Sequence, residues 1–590
     1  MANAASETID LDSILKQLGA FGKYNIVNYA LLLFPIFLAG MYGSVFVFEG
    51  PDISYRCEIS QCEGSNESFW IEHAIPRDKN ELSKCKQYQF IGNYSQSNRT
   101  CSEPDFNKAV IEECEKYVYS DEDSAVKDVK ERGEGRITFY FILDSPTAEY
   151  TRVARALRVM VRARGVVIAY LEECGLFNLG CQNWKRTLIG TIHNSGLFLS
   201  LPLTGIISDR YGRKVALSIA CLMNGIFGFI RSFSTSYIMM LIFEFLEAGL
   251  GAGAYSTAFV LAMELVGPKG RVFGNTLINA VYVLGLMSLS GLSWWLQDWR
   301  LQIRIIYAPA FLGFTYLWIL NESVRWLLSK GRQNEAVDIL KKAMKMNKVD
   351  LSDDVLSPLS ELGNAEDTKS KEVTPKEEEN KSSFSRALKS NIIRKRVLVC
   401  SFLWITCTFV YYGLSINSVS LAGNKYLNFM LVAFVEIPAN FACLLVLDRF
   451  GRKRTLITTY VLSACLCISL SLIPKDQKWL PLIIYLSGKF SITIAYSSVY
   501  IYVSEVFPTN VRQSLLAVCS ALGRVGSTLA PLTPLLALYY DNLPAIFFGS
   551  MTLVASALVF TLPETINVPL PDTVEEAEKL SRRKDVKDNA

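Results

Sequence analysis

Charged residues are scarce in this chain of 590 residues: Asp, Glu, Lys and Arg make up 20% of it, against 50% for hydrophobic residues. The charge is confined to a few places, and the long stretches between them lack the polar surface that a soluble protein of this length needs. The net charge of +4 is small, and no basic patch is interleaved with aromatic residues, which argues against nucleic-acid binding. These shortages predict a membrane protein.

Motifs of catalysis are also missing. The sequence has no H-E-x-x-H, no P-loop and no Ser–His arrangement, so we expect no enzyme, no metal site and no cofactor. It has no alternation of apolar and polar residues of the kind that builds a membrane β-barrel. Mostly polar residues precede the first apolar segment and no small-residue cleavage site follows it, so we do not expect a cleaved signal peptide.

Long apolar runs are what the sequence does contain. A bilayer core of about 30 Å requires roughly 20 apolar residues per helix. This measure predicts twelve membrane-spanning helices, at residues 25–48, 187–207, 215–235, 237–264, 271–295, 301–320, 396–416, 426–447, 455–473, 479–503, 513–538 and 543–562.

The short loops on one side of these spans are basic. They read "SDRYGRK", "GPKGR", "NVR" and "DRFGRKR". The positive-inside rule places such loops in the cytosol. Twelve spans then predict that both termini, residues 1–24 and 563–590, are cytoplasmic as well.

Cysteine is concentrated in residues 49–186, between the first two spans. Seven of the fourteen cysteines lie there: Cys57, Cys62, Cys85, Cys101, Cys114, Cys174 and Cys181. The same segment carries three N-x-S/T sequons, at Asn66, Asn93 and Asn98. Together they predict an extracellular, glycosylated loop that is held by disulfides. Because seven is odd, one cysteine should remain unpaired, and the sequence leaves the pairing open.

A second long insert, residues 321–395, is predicted to be a cytoplasmic linker. It begins with apolar residues at helical spacing, Ala336, Val337, Leu340, Ala343 and Met344, and so predicts an amphipathic surface helix. Its later part is too charged and too rich in Pro and Ser to bury a core. The linker divides the spans into two groups of six, within residues 25–320 and 396–562.

Three short motifs recur at matching places in these two halves. Each half has a cationic turn between its second and third spans, "SDRYGRK" at 208–214 and "LDRFGRK" at 447–453. Each ends its fourth span with an acidic residue and a basic turn, in "MELVGPKGR" and "SEVFPTNVR", and its sixth with "NESVRW" or "LPET". Matched landmarks of this kind indicate a duplicated six-helix bundle, as in one large class of secondary transporters.

These motifs resemble those of the major facilitator superfamily and, within it, the organic cation, carnitine and organic anion transporter family. The resemblance covers almost the whole chain, and rests on the Cys-rich loop ending in "CQNW" and on "ESVRWLLSKGR", "YYGLSIN", "VEIPA", "YVSEVFPTNVRQS" and "GRVGSTLAPL". It implies an all-α membrane protein with twelve transmembrane helices in two six-helix bundles and a large external loop between helices 1 and 2. It further implies alternating-access transport of small organic ions across the plasma membrane.

The cationic turns are predicted to act as a gate. Gly212 and Gly451 allow a tight reversal, and Asp209 or Asp448 can pair with the following arginine or sit against a helix N-terminus of the other bundle. The alternative is a topology signal only, but that would need charge and not an Asp, a Gly and two Arg in fixed order. The resemblance implies that these turns latch the cytoplasmic ends while the protein faces outward. The gating residues are then Asp209, Arg210, Gly212, Arg213, Asp448, Arg449, Gly451, Arg452, Glu264, Arg271, Glu505 and Arg512.

Ionisable residues inside the spans are costly and are expected to face a cavity. Arg524 lies in the eleventh span, where the resembled family tends to hold an acid in cation carriers and an arginine in anion and carnitine-type carriers. Its guanidinium could bind a carboxylate through two hydrogen bonds, or pair internally with Glu436. Glu436 and Lys489 are substrate candidates as well, or partners of each other, and His193 is expected to be structural.

Glu244 and Glu247 depart from the family pattern, which has a basic residue near the first of them. Their spacing places both carboxylates on one helix face. They could attract an ammonium group or carry a proton, or they could pair with Arg231 or Arg304.

Aromatic residues offer a cage for an ammonium group. Trp404, Tyr411 and Tyr412 of the seventh span match positions where the family contacts substrate, and Tyr255, Tyr282 and Tyr496 are weaker candidates. A fixed arginine together with acids and aromatic rings favours a small zwitterion or an organic cation, such as carnitine, a betaine or an amine. The alternatives are an organic anion exchanger, a sugar-type facilitator and a non-transporting receptor. Coupling to sodium or to protons stays open.

Overall fold

The structure is a computed structural model. It describes residues 17, 22–49, 55–62, 70–78, 81–92, 101–119, 181–349, 387–566 and 571–582, apart from positions 115, 267, 297, 475, 476, 478, 510 and 572. The three sequons, Cys174 and most of the charged linker lie outside these residues. The chain divides into two compact units, one formed by residues up to 49, 187–232 and 241 onward, the other by residues 50–186 and 233–240.

The smaller unit is built from short strands and disulfides. Its strands pair in antiparallel twos: Tyr55–Cys57 with Tyr117–Tyr119, Arg77–Asp78 with Glu81–Leu82, and Lys86–Phe90 with Phe106–Glu113. A helical turn covers Ile71–Ala74, and a 3₁₀ turn covers Glu103–Asp105. Strands this short cannot bury much apolar surface, so covalent cross-links supply part of the stability.

Three disulfides join Cys57 to Cys114, Cys62 to Cys101 and Cys85 to Cys181. The first two pairs lie in the small hydrophobic core, beside Trp70 and Phe106. The prediction that this segment is held by disulfides is therefore confirmed.

Helices form the six spans of the first half. Span 1 is Lys23–Tyr42 with Phe46–Glu49, span 2 is Asn183–Tyr211, span 3 is Arg213–Arg231, span 4 is Tyr237–Gly251 with Gly253–Leu265, span 5 is Pro268–Leu296, and span 6 is Trp299–Tyr307 with Ala308–Thr315 (3₁₀) and Tyr316–Ile319. Two further helices, Val324–Ser329 and Gln333–Asn347, follow span 6.

The second half repeats this order. Span 7 is Asn391–Asn417 with Ser418–Ser420 (3₁₀), span 8 is Lys425–Phe434 with Glu436–Phe450, span 9 is Arg452–Ser469 with Leu470–Leu472 (3₁₀), span 10 is Trp479–Val506, span 11 is Arg512–Leu529 with Ala530–Leu532 (3₁₀) and Thr533–Ala537, and span 12 is Leu543–Val559. A last helix covers Val574–Arg582.

Nine helices among the described residues are long and apolar enough to cross a membrane by length and composition. The twelfth span, Leu543–Val559, is apolar but shorter. Spans 2 and 6 are the remaining two. Span 2 buries polar side chains, among them His193 and Asn194, and span 6 passes through a 3₁₀ segment after an arginine-containing start. The twelve-helix arrangement expected from the sequence is nevertheless the architecture observed.

The helix Gln333–Asn347 is amphipathic, as its sequence predicts. Ala336, Val337, Leu340 and Ala343 are buried. The last three join the hydrophobic core of the first half.

We call the end of the spans that carries residues 209–213 and 448–452 the turn side, and the end that carries residues 49 and 232 the loop side. On the loop side the two halves touch. Phe48 of span 1 packs on Tyr426 and Phe429 of span 8, with ring centroids 5.6 and 5.1 Å apart. Ser290 Oγ of span 5 donates a hydrogen bond to the carbonyl oxygen of Tyr426 at 2.7 Å.

Candidate functional site

The turn of the first half is an ion-paired reversal between spans 2 and 3. Gly212 has φ +104°, a conformation that a residue with a side chain rarely adopts. The guanidinium of Arg213 lies 2.6 Å from Asp209 and 3.4 Å from Glu264 of span 4. It also donates to the carbonyl oxygen of Ser208 at 3.0 Å. The turn is thereby tied to spans 2 and 4 by one side chain.

Glu322, just after span 6, binds the start of span 3. Its carboxylate accepts from the backbone N–H of Arg213 at 2.9 Å and of Lys214 at 3.2 Å. A carboxylate at a helix N-terminus satisfies free N–H groups and the positive end of the helix dipole. Burial raises the pKa of the Glu322 carboxyl, and the backbone N–H of Ser323 and the two at the helix start oppose that rise.

The second half repeats this geometry. Gly451 has φ +87°. Arg452 lies 3.1 Å from Glu505 of span 10 and 4.0 Å from Asp448. Glu564, just after span 12, accepts from the backbone N–H of Arg452 at 3.1 Å and of Lys453 at 3.2 Å.

Of the two alternatives for Asp209 and Asp448, pairing with the following arginine is the one observed, and contact with a helix N-terminus of the other bundle is not seen among the described residues. Their side chains are 74% and 84% exposed, and each faces the arginine four residues on. The helix N-termini are instead bound by Glu322 and Glu564, which belong to the same half as the turn they bind. Sequence reasoning recognised "NESVRW" and "LPET" as repeated landmarks but assigned no role to these two residues.

The remaining predicted gating residues lie near the turns. Arg210 and Arg449 are exposed, each over the ring of the next residue, Tyr211 and Phe450. Arg512 donates to the carbonyl oxygen of Phe507 at 3.3 Å and to Thr509 Oγ1 at 3.0 Å. Arg271 is half-buried near the start of span 5. The latch role of all these residues stays a prediction.

A buried ion pair lies in the second half. Lys489 Nζ is 2.9 Å from Glu436 Oε1, and both side chains are almost fully buried. The same ammonium lies 3.3 Å from the centroid of the Tyr411 ring and donates to Ser415 Oγ at 2.8 Å. The predicted pairing of Lys489 with Glu436 is therefore observed.

Tyrosine rings surround this pair. Tyr411 packs edge-on against Tyr412 and face-on against Tyr496, with centroids 5.2 Å apart in both cases. From the first half, Tyr255 and Tyr282 pack on each other at 5.4 Å. Tyr282 interacts electrostatically with Tyr412 and Glu436. We call these five tyrosines, 255, 282, 411, 412 and 496, the tyrosine group, and it draws on both halves.

Arg524 is half-buried. It interacts electrostatically with Tyr255 and Tyr496, so it lies beside the tyrosine group. In the described part of the chain its guanidinium has no carboxylate within 4.0 Å. The alternative of an internal pair with Glu436 is not observed, because Lys489 occupies that carboxylate.

Trp404 of span 7 contacts spans 10 and 11. It is buried, and it packs edge-on against Tyr500 at 5.5 Å. A Cβ on Gly523 would meet its ring at 2.3 Å, so span 11 passes directly over it. These contacts pack Trp404 against spans 10 and 11, and its role in substrate binding stays a prediction.

A second charged group lies in the first half, near the loop side. His193 Nδ1 is 2.8 Å from Glu244 and 3.6 Å from Glu247. Arg231 contacts Glu244 and lies 2.8 Å from Glu49. The pairing of Glu244 with Arg231 is thus the arrangement observed, and Arg304 bonds Ser232 instead. Glu49 is a partner that sequence reasoning missed, because it stands at the very end of a span.

The fold is similar to that of solved transporter structures. Two structures of the xylose transporter XylE from E. coli match it: an inward open conformation (TM-score 0.51, 68% of this chain and 89% of that one) and a partially occluded inward open conformation (TM-score 0.50, 65% and 88%), each at 19% identity. The family model "Sugar (and other) transporter" matches residues 138–576. Fold and repeated turns therefore define a transporter of the major facilitator class, an integral membrane protein.

Proteins of similar sequence identify the family within this class. The organic cation transporter protein of Drosophila melanogaster is 30% identical over 97% of this chain and 95% of that protein. Mouse solute carrier family 22 member 3 is 33% identical over 68% and 71%, and human organic cation/carnitine transporter 2 is 29% identical over 96% and 94%. The chain belongs to the organic cation and carnitine transporter family, solute carrier family 22.

Proposed function

We propose that this protein carries a small organic cation or zwitterion of carnitine, betaine or amine type across the plasma membrane by alternating access. The names of its relatives, organic cation transporters and an organic cation/carnitine transporter, support the substrate class. The observation that carries the proposal is the half-buried guanidinium of Arg524 beside the tyrosine group, where no carboxylate of the described residues pairs with it.

A zwitterion fits this arrangement by charge. Its carboxylate would accept two hydrogen bonds from Arg524. Its ammonium would lie against tyrosine faces, which attract cations by their quadrupole. The ammonium of Lys489 over the Tyr411 ring supports the ability of this group to hold a cation.

We further propose that the turn side is cytoplasmic, as the basic loops indicate, and that the smaller unit is extracellular. In this orientation the contacts of Phe48 with Tyr426 and Phe429 close the extracellular side. The arginine–glutamate pairs of the turns lie within each half, and the gate would form where the two halves approach.

The test is uptake of radiolabelled carnitine and tetraethylammonium into proteoliposomes. Losing one partner of a desolvated charge pair costs about 2–5 kcal/mol, so Arg524→Ala should lower carnitine uptake by roughly tenfold or more. Arg524→Asp should shift preference toward tetraethylammonium, which has no carboxylate. The control is Arg332→Ala, which removes an exposed arginine paired with Glu335 on the linker helix and should leave uptake unchanged.

Carnitine uptake by Arg524→Ala at the wild-type rate would contradict the proposed role. A second candidate, organic anion exchange, is favoured by the same guanidinium. Uptake of a labelled dicarboxylate by the wild type, with neither carnitine nor tetraethylammonium carried, would establish it in place of the first.

A further inference from the structure

The charged group of the first half has no role in the substrate site proposed above. We call Glu49, His193, Arg231, Glu244 and Glu247 the loop-side cluster. It joins spans 1, 2, 3 and 4, and none of its residues is more than 4% exposed. Ionisable residues buried at this depth in a membrane protein need partners of opposite charge or bound protons.

The charges of the loop-side cluster do not balance. With a neutral imidazole, three carboxylates face one guanidinium, which leaves an excess of two negative charges. One oxygen of Glu49 and one of Glu247 are buried without a hydrogen-bond partner. Nε of Arg231 is also buried without a hydrogen-bond partner. The excess of carboxylates, and not the position of the unpaired oxygens, is therefore what favours a further positive charge in the cluster.

The geometry favours a proton over a metal ion. One ligand atom each of His193, Glu244 and Glu247 lie within 4.8 Å of one another, a spacing that a cation could bridge. However, Arg231 already contacts Glu244 and Glu49, and its guanidinium would repel a divalent ion at this place. The hydrogen bond between Nδ1 and Glu244 already holds one proton, so a second proton binds Nε2. The imidazolium formed needs no extra room, and its Nδ1–H faces both carboxylates.

Two tyrosines and a cysteine, which are neutral in their ordinary forms, are packed around the cluster. Tyr307 of span 6 accepts from Arg231 at 3.4 Å and interacts electrostatically with Glu247. Tyr42 of span 1 stacks on Tyr307 at 4.5 Å, and the Cys221 thiol of span 3 interacts electrostatically with Tyr42. Arg304 of span 6 is turned to Ser232. The two tyrosines and the thiol therefore add no charge to the cluster.

The cluster is also connected to the contact between the halves. Glu49 ends the short helix Phe46–Glu49, in which Phe46 packs on the His193 ring at 5.3 Å. Phe48 of the same helix packs on Tyr426 and Phe429 of span 8. A change in charge at His193 thus acts on a helix that closes the loop side.

We propose that His193, held between Glu244 and Glu247, binds and releases a proton in each transport cycle and so couples transport to a pH gradient. The imidazole nitrogen takes a proton from one side of the membrane and gives it up to the other. This inference rests on the proposed function, because a coupled substrate must be carried.

The experiment measures two activities in the same proteoliposomes, with the membrane potential clamped and with labelled carnitine and tetraethylammonium as probes. Exchange of the probe across the membrane at equal pH requires no net proton movement. Accumulation of the probe against its own concentration gradient requires protons to move down theirs. A pH difference of two units can concentrate a substrate by up to about 100-fold if one proton moves with it. Gradients of both directions are applied.

We expect the wild type to accumulate a probe under one direction of pH gradient. His193→Gln should keep exchange within about twofold, since glutamine can still hydrogen-bond Glu244, and should lose accumulation. The matched control is His73→Gln, which removes the other histidine of the chain, in the smaller unit, and should accumulate the probe as the wild type does.

A wild type that exchanges a probe but ignores pH gradients would overturn this inference and leave the proposed function standing. Absence of exchange would overturn the proposed function itself. A His193→Gln variant that still accumulates the probe would show that the proton is carried elsewhere.

A measurement without substrate covers the case in which His193→Gln does not fold. Between about pH 5.5 and pH 8.5, the thermal unfolding temperature of the wild type should fall as protons leave the cluster. Glu247→Gln removes one carboxylate, so its fall should be smaller, while that of His73→Gln should match the wild type. Equal falls in the wild type and Glu247→Gln would overturn the inference.

Discussion

At the scale of single residues, the turns depend most on two glutamates, one after the last span of each half. Glu322 and Glu564 accept from the first two backbone N–H groups of spans 3 and 9. Spans 3 and 9 each begin directly after a glycine with positive φ, which has no side chain to cap the helix. A glutamate from a distant part of the chain takes that place.

We expect Glu322→Ala to destabilise the protein by roughly 1–2 kcal/mol, the usual cost of losing a helix cap. Glu322→Gln should cost less, because its amide oxygen still accepts from Arg213 and Lys214. The measurement is thermal unfolding in detergent, with Glu335→Ala on the exposed face of the linker helix as the control. Equal unfolding temperatures for Glu322→Ala and the control would contradict the capping role.

At the scale of elements, the turns differ in how their charges are placed. Asp209 is exposed, and an exposed ion pair contributes little to stability. Arg213 is 15% exposed and contacts spans 2 and 4 together. The arginine therefore carries more of the connection than the aspartate does.

We expect Asp209→Asn and Arg213→Ala to reach the membrane folded, and to lower transport more than they lower substrate binding, the second variant more strongly. Transport is measured as initial uptake and binding by displacement of a labelled probe at equilibrium. Lys345→Ala, in the last turn of the linker helix, serves as the control. Normal uptake in both turn variants would contradict a gating role for these residues.

Much of this element-scale picture follows from the sequence. The lengths of the apolar runs predict most of the spans, and the repeated motifs predict the two halves, because both are local properties of the sequence. The caps could not be predicted, since Glu322 lies 109 residues from Arg213 and only folding brings them together. The partners of Arg231 were open for the same reason: Glu49 is 182 residues away. Glu436 was expected to need a partner in the membrane interior, but the sequence offered both Arg524 and Lys489, and only the fold shows that Lys489 is the one.

At the scale of the whole molecule, the three N-x-S/T sequons test the membrane topology. Sequons are glycosylated only on the extracytoplasmic side. With the turn side cytoplasmic, Asn66, Asn93 and Asn98 are all expected outside the cell.

Treatment with peptide N-glycosidase should therefore lower the apparent mass of protein made in a eukaryotic host. The triple variant Asn66→Gln, Asn93→Gln, Asn98→Gln should show no such shift, while Asn183→Gln, at the start of span 2 and outside any sequon, should behave as the wild type. A remaining shift in the triple variant would contradict the assignment of these sites.

The disulfide between Cys85 and Cys181 closes a covalent ring of the backbone just before span 2 begins. Any single peptide-bond cut between these two cysteines leaves the pieces joined, so a nicked molecule keeps its full mass until it is reduced. The ring also fixes where the chain must return, at Cys181, whatever the number of residues in the segment between Cys114 and Cys181. Lengthening or shortening that segment therefore alters the circumference of the ring and leaves the entry to span 2 in place.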